Sequence, residues 1–129
     1  MKKHSPFSLV KWYLDCVTES GHVLIGYAAT LRWHKLAQDY SSVLFYNNQI
    51  SKTNSTLSYE APTLLDDRIE WNAPLLNMRG IWSPLDKPSE HTLLQTSHGG
   101  LEWSCLVPRA RATLLYKGEL LEGLGYVER

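Results

Sequence analysis

A two-residue alternation of apolar and polar side chains, repeated in segment after segment, constrains this chain more than any other feature. Residues 10–17 place Trp12, Leu14 and Cys16 on one face of an extended strand and Tyr13, Asp15 and Val17 on the other. In residues 23–33 the odd positions Val23, Ile25, Tyr27, Ala29, Leu31 and Trp33 are apolar, while the even ones include Gly26, Thr30 and Arg32. The odd face of this second strand is therefore expected to be the buried one. Glu19-Ser20-Gly21-His22 separates the two as a turn, with Gly21 free to adopt a positive φ, so the pair reads as a hairpin.

Further strands are expected near residues 42–46, 55–60, 68–72, 78–82, 92–97, 101–106, 110–116 and 120–127, each rich in β-branched or aromatic residues. Asn47-Asn48, Asp66-Asp67, the Pro84–Pro88 stretch, His98-Gly99-Gly100 and Lys117-Gly118 supply the turns. Residues 31–40 form the best helical candidate but read better as a strand end followed by a loop. So many short antiparallel strands must close into a barrel or stack as two sheets, since one flat sheet would leave an apolar face wet and two edges open. The expected fold is all-β: an antiparallel up-and-down barrel or strongly curved sheet of lipocalin-like type, with a β-sandwich as the alternative. Trp12, Tyr27, Trp33, Trp71 and Trp103 are expected in its core. The apolar 120–127 segment, close to the end of the chain, is expected to be an open edge that invites pairing with a second copy.

Charge excludes one broad class of function. Thirteen Lys and Arg balance thirteen Asp and Glu in 129 residues, so the basic field of a general nucleic-acid binder is missing. No apolar run reaches the ~18 residues of a membrane-spanning helix, and no secretory leader is visible, which makes the reducing cytoplasm the expected location. Cys16 and Cys105 stand far apart with no ligand cluster around them, so no metal is expected and both should be free thiols. Nucleotide-binding, serine-hydrolase and zinc-protease motifs are absent from the sequence, and no cofactor is expected. His34, His98 and the Arg109-Ala110-Arg111 alternation read as ordinary surface or satisfied side chains.

Two segments carry a resemblance. Lys11-Trp12-Tyr13-Leu14-Asp15 is similar to the aromatic W-Y-x-D segment that opens the first strand of the hydroxyneurosporene synthase-like proteins, also described as carotenoid hydratase-like and lipocalin-like. Trp103-Ser104-Cys105-Leu106-Val107-Pro108 resembles that family's W-x-C-x-x-P segment, and Gly123-Leu124-Gly125-Tyr126-Val127-Glu128 its G-x-G-Y-x-D/E motif. The resemblance implies two tandem lipocalin-like barrels around an apolar pocket, in proteins that act as double-bond hydratases or cyclases on terpenoid or polyketide substrates. Glu128 stands where many relatives carry Asp, and Arg129 follows as the last residue. Residues 1–129 are therefore expected to be a single lipocalin-like domain without the second barrel.

Protonating an isolated alkene needs an acid in an apolar setting and aromatic faces beside the developing cation. Asp15 and Glu128 are the carboxyls that the resemblance nominates, with Tyr126 beside them as the third candidate catalytic residue. Trp12, Tyr27, Trp33 and Trp103 are the candidate ligand-binding aromatics. The expected function is binding of a small apolar ligand, lipid or isoprenoid-like, inside the barrel. The alternatives are a cofactor-free hydratase- or cyclase-like enzyme and a truncated, inactive fragment. The expected partners are the small ligand and either a second copy or a missing second domain.

Overall fold

A computed structural model describes residues 7–85 and 105–129. Nine strands form one antiparallel sheet: β1 (Phe7–Thr18), β2 (Val23–Trp33), β3 (Leu36–Asn47), β4 (Ile50–Thr56), β5 (Thr63–Leu64), β6 (Ile69–Ala73), β7 (Met78–Pro84), β8 (Cys105–Tyr116) and β9 (Glu119–Glu128). Their spatial order is β4-β3-β2-β1-β9-β8-β7-β6-β5, so consecutive strands pair except β4 and β5, and β9 returns to pair with β1. This is an up-and-down meander curled almost into a barrel, with no ladder between β4 and β5. Among the described residues there is one sheet and not the two of a sandwich. Among the described residues no helix is long and apolar enough to cross a membrane.

Local chemistry explains the connections. Gly21 takes φ +90° in the β1–β2 turn. Asn48 and Gln49 (φ 45° and 81°) link β3 to β4, and Lys117 and Gly118 (φ 50° and 83°) link β8 to β9. Two consecutive positive φ values are what a two-residue hairpin with the right-handed strand twist requires. Residues 31–40 differ from expectation: Trp33 pairs with Leu36, so β3 begins only two residues after β2 ends. His34 takes φ 54° in that turn without a glycine or proline to announce it. The expected 55–60 strand lies instead at Ile50–Thr56, and residues 57–62 leave the sheet. The expected 92–97 strand and most of 101–106 fall outside the described residues.

Those residues 57–62 lace the seam that backbone pairing leaves open. Ser41 Oγ of β3 donates to the Ser58 carbonyl at 2.8 Å and accepts from the Glu60 amide at 2.9 Å. Trp71 Nε1 of β6 donates to the Glu60 carbonyl at 2.6 Å, and Trp12 Nε1 of β1 donates to the Tyr59 hydroxyl at 3.1 Å. At the other end Asn54 of β4 donates to the carbonyl of Leu76, in the 3-10 turn Pro74–Leu76.

The interior is filled by tryptophan set against glycine. Trp71 and Trp82 are fully buried. A Cβ on Gly26 would overlap the Trp71 ring, and one on Gly125 would sit 2.7 Å from Trp82 Nε1. Gly125 thereby lets Trp82 reach across to donate to the Asp15 carbonyl at 2.8 Å. Leu14, Leu24, Ala28, Val43 and Val127 complete the facing wall. β2 thus turns its even side inward, with Leu24, Gly26 and Ala28 inside and the apolar odd residues outside. The expectation for its odd face is corrected: over Val23–Ala28 both sides are apolar, and only the small residues of the even side leave room for Trp71. Trp33 is accordingly 46% exposed and Tyr27 half-buried, contrary to their expected place in the core. β9 is no edge either, since it lies between β1 and β8. The edges are β4, whose Lys52 shares the inward parity of Phe45, and the two-residue β5. A short edge and an inward charge both discourage edge pairing.

Candidate functional site

The three residues nominated for catalysis meet on the outer face of the sheet. Asp15 lies directly opposite Tyr126 across the β1–β9 ladder, and Tyr13 opposite Glu128. The Tyr13 hydroxyl donates to Asp15 Oδ2 at 2.9 Å, and the Tyr13 and Tyr126 rings meet edge to face with centroids 6.0 Å apart. Packing among these rings removes water from the pair. Burial raises the Asp15 pKa above its ordinary value, outweighing the hydrogen bonds from Tyr13 and the Tyr126 backbone that lower it. Tyr13 is pushed up to about 12, first by burial, then by the hydrogen bond to Asp15 and the nearby carboxylate charges.

Trp12, adjacent to Tyr13 in sequence, points the opposite way. It is buried on the inner face, and the Arg129 guanidinium stands 5.5 Å from its ring centroid. Tyr27 lies on the outer face opposite Tyr13, with Lys11 Nζ 5.8 Å from its ring centroid. Trp33 stacks obliquely on His34 at the far end of β2. The four expected ligand aromatics therefore do not share one pocket: Trp12 is inside, Tyr27 and Trp33 are outside, and Trp103 lies outside the described residues. Cys16 is a buried thiol pushed up to about 11 by burial, which suits packing rather than nucleophilic chemistry. Among the described residues no three His, Cys, Asp or Glu side chains gather to hold a metal.

Sequence reasoning missed a second place, at the β3–β4 and β8–β9 hairpin end. Phe45, Asn47, Ile50 and Lys52 face Tyr116, Lys117 and Glu119 across a cleft of about 240 Å³. The Phe45 and Tyr116 rings are in contact, with centroids 5.6 Å apart. The Tyr116 hydroxyl is buried with no hydrogen-bond partner among the described residues, although buried polar groups are nearly always paired. Lys117 Nζ lies 5.4 Å from the Tyr116 ring centroid, and Lys52 lines the same cleft. Two wider clefts are open grooves of about 930 and 570 Å³, one beside the β1–β2 turn and β9, the other over β6, β7 and β8. Asp15, Tyr126 and Glu128 line none of the three. No motif marks the Tyr116 cleft, because its walls come from hairpins far apart in sequence.

No protein-family model matches the chain, and no curated protein gives a significant match. Among solved structures, a crystal structure from Nitrosomonas europaea provisionally described as AttH aligns with 95% of this chain at 14% identity and a TM-score of 0.46. The chain spans half (50%) of that protein's length. None of these findings names the hydroxyneurosporene synthase-like family.

Proposed function

We propose that this chain is a binding module for a small molecule with an apolar body and one hydrogen-bonding end, taken at the Phe45–Tyr116 cleft. The observation that carries this reading is the Tyr116 hydroxyl, buried without a partner among the described residues in the wall of a cleft. Leaving such a group unpaired costs ~1–3 kcal/mol, which a ligand oxygen hydrogen-bonded to it would recover. Phe45 offers an aromatic face beside it. Ile50 and Lys52 are exposed at its mouth. At ~30 Å³ per water molecule the cleft displaces about eight waters, which suits a ligand, or the end of one, with roughly ten non-hydrogen atoms. The barrel interior offers less support for the site, because Trp71 and Trp82 occupy its centre.

Titration of the chain with geraniol and 1-octanol, followed by calorimetry, tests this. Tyr116→Phe should weaken binding of both alcohols about tenfold, and in the absence of ligand it should stabilise the fold by ~1 kcal/mol. No heat of binding at millimolar alcohol, or binding indifferent to both Tyr116→Phe and Phe45→Ala, would refute it.

One observation favours a second reading, the cofactor-free hydratase or cyclase. Asp15 is a desolvated carboxyl with a raised pKa beside two tyrosine rings, the kind of group that delivers a proton to an alkene. Turnover of an alkene substrate that Asp15→Asn abolishes without unfolding would establish it in place of the binding module.

A further inference from the structure

The rim of the Phe45–Tyr116 cleft is charged, and its charges do not balance. Pairing of β3 with β4 sets Lys52 opposite Phe45, and pairing of β8 with β9 sets Glu119 opposite Tyr116. Residues opposite each other in an antiparallel pair share a face, so both charges stand on the side of the sheet that carries the two rings. Lys117 lies in the turn between β8 and β9, its ammonium 5.4 Å from the Tyr116 ring centroid. All three charged residues line the cleft, and among the described residues none of them has an ion-pair partner. His22 meets Phe45 edge to face but is not part of the lining. The cleft therefore presents two cations against one carboxylate, beside a buried hydroxyl that has a proton to donate.

We propose that the ligand of this cleft is an anion: a small carboxylate with an apolar body, one oxygen accepting from the Tyr116 hydroxyl and the other held by the ammonium groups of Lys117 and Lys52. The assignment rests on the reading of the cleft as a ligand site and names the head group that it selects. Reach supports a single carboxylate for both tasks. An ammonium 5.4 Å above the ring centroid lies ~6 Å from the phenol oxygen. Two hydrogen bonds of ~2.8 Å to carboxylate oxygens ~2.2 Å apart span up to ~8 Å, so one carboxylate joins hydroxyl and ammonium without moving either. A neutral head would leave both lysines uncompensated. A cationic head would face two like charges and leave the Tyr116 proton unpaired. The apolar body then lies against Phe45 and Ile50, because Trp71 and Trp82 close the interior beyond. Octanoate has the size that the cleft volume allows.

Calorimetry of the full chain with sodium octanoate, 1-octanol and octylamine, which share one alkyl chain, separates the head group from the body. Octanoate should bind one per chain and ~10-fold tighter than octanol, with octylamine weaker than either. Lys117→Gln and Lys52→Gln should each weaken octanoate ~3-fold or more and leave octanol unchanged, whereas Tyr116→Phe should weaken both. Glu119→Gln should tighten octanoate, a gain that partial unfolding does not produce. Raising NaCl from about 20 to about 200 mM should weaken octanoate and spare octanol. Octanol bound through Tyr116 with octanoate no tighter would overturn the carboxylate assignment and leave the cleft a binding site. An octanoate preference indifferent to both lysine substitutions would overturn it in the same way. Binding of neither compound would overturn both readings.

Discussion

Replacing Gly26 by alanine tests whether the interior is filled as described, and so whether any ligand can lie inside. The added Cβ would overlap Trp71 Cζ3 and come within 2.8 Å of Cη2 and 3.1 Å of Cε3. Trp71 cannot simply retreat, because it is fully buried and its indole N–H is held by the Glu60 carbonyl at 2.6 Å. Overpacking of this kind costs ~1–3 kcal/mol, and breaking the indole hydrogen bond adds ~1–3 kcal/mol for a buried group left unpaired. Alanine returns ~0.5–1 kcal/mol over glycine in a strand, so the net loss is about 1–5 kcal/mol. At ~3–6 °C per kcal/mol for a domain of this size, that corresponds to a fall in Tm of roughly 3–30 °C. The assay is urea and thermal unfolding of wild type, Gly26→Ala, Trp71→Phe and the double variant. Phenylalanine lacks the far ring edge that the Cβ meets, so the double variant should be more stable than the sum of the two single losses allows, by ~1–2 kcal/mol of coupling. A neutral or stabilising Gly26→Ala, or strict additivity in the cycle, would refute a packed interior and reopen the barrel to a ligand.

The remaining predictions concern single groups. Asp15 has a folded pKa raised by burial above 3.8, so its contribution to stability is complete below pH 3.8 and is lost as pH rises through the folded value. Asp15→Asn should therefore be more stable than wild type at pH 7 relative to its difference at pH 3, and a pH-independent difference in urea midpoints would contradict this. Gln49 holds φ 81° in the β3–β4 turn, a conformation that glycine adopts without penalty. Gln49→Gly, which creates the favoured Asn-Gly hairpin, should raise stability by ~1 kcal/mol, and a lowered Tm would show that the turn is held by other contacts. Ser41 joins two backbone groups of the seam segment from a fully buried position. Ser41→Ala should cost ~2–3 kcal/mol and speed proteolysis of residues 57–62, and an unchanged digestion pattern would mean that the seam is held elsewhere.

Strand identity and turn position are local properties, so they are legible in this sequence. Alternation marks β1–β3 and β6–β9 but misplaces β4 and misses the two-residue β5, and Gly21, Asn47-Asn48 and Lys117-Gly118 mark turns, because positive φ is a demand that few residues meet. The Trp33–Leu36 turn escapes notice because His34 carries no such mark. The W-Y-x-D and G-x-G-Y-x-E segments also prefigure the Asp15, Tyr126 and Glu128 cluster, since pairing of β1 with β9 turns two distant motifs into neighbours. What the sequence could not decide is which side of β2 lies inside, because its first half, Val23–Ala28, is apolar on both sides and the choice rests on whether a facing tryptophan has room. Only the tertiary fold supplies that room, by bringing Gly26 to Trp71 and Gly125 to Trp82. The same closure sets Tyr116 beside Phe45, leaves its hydroxyl unpaired, and turns the apolar face of β2 outward. None of these is visible along the chain, because each depends on residues that meet only when the sheet curls back on itself.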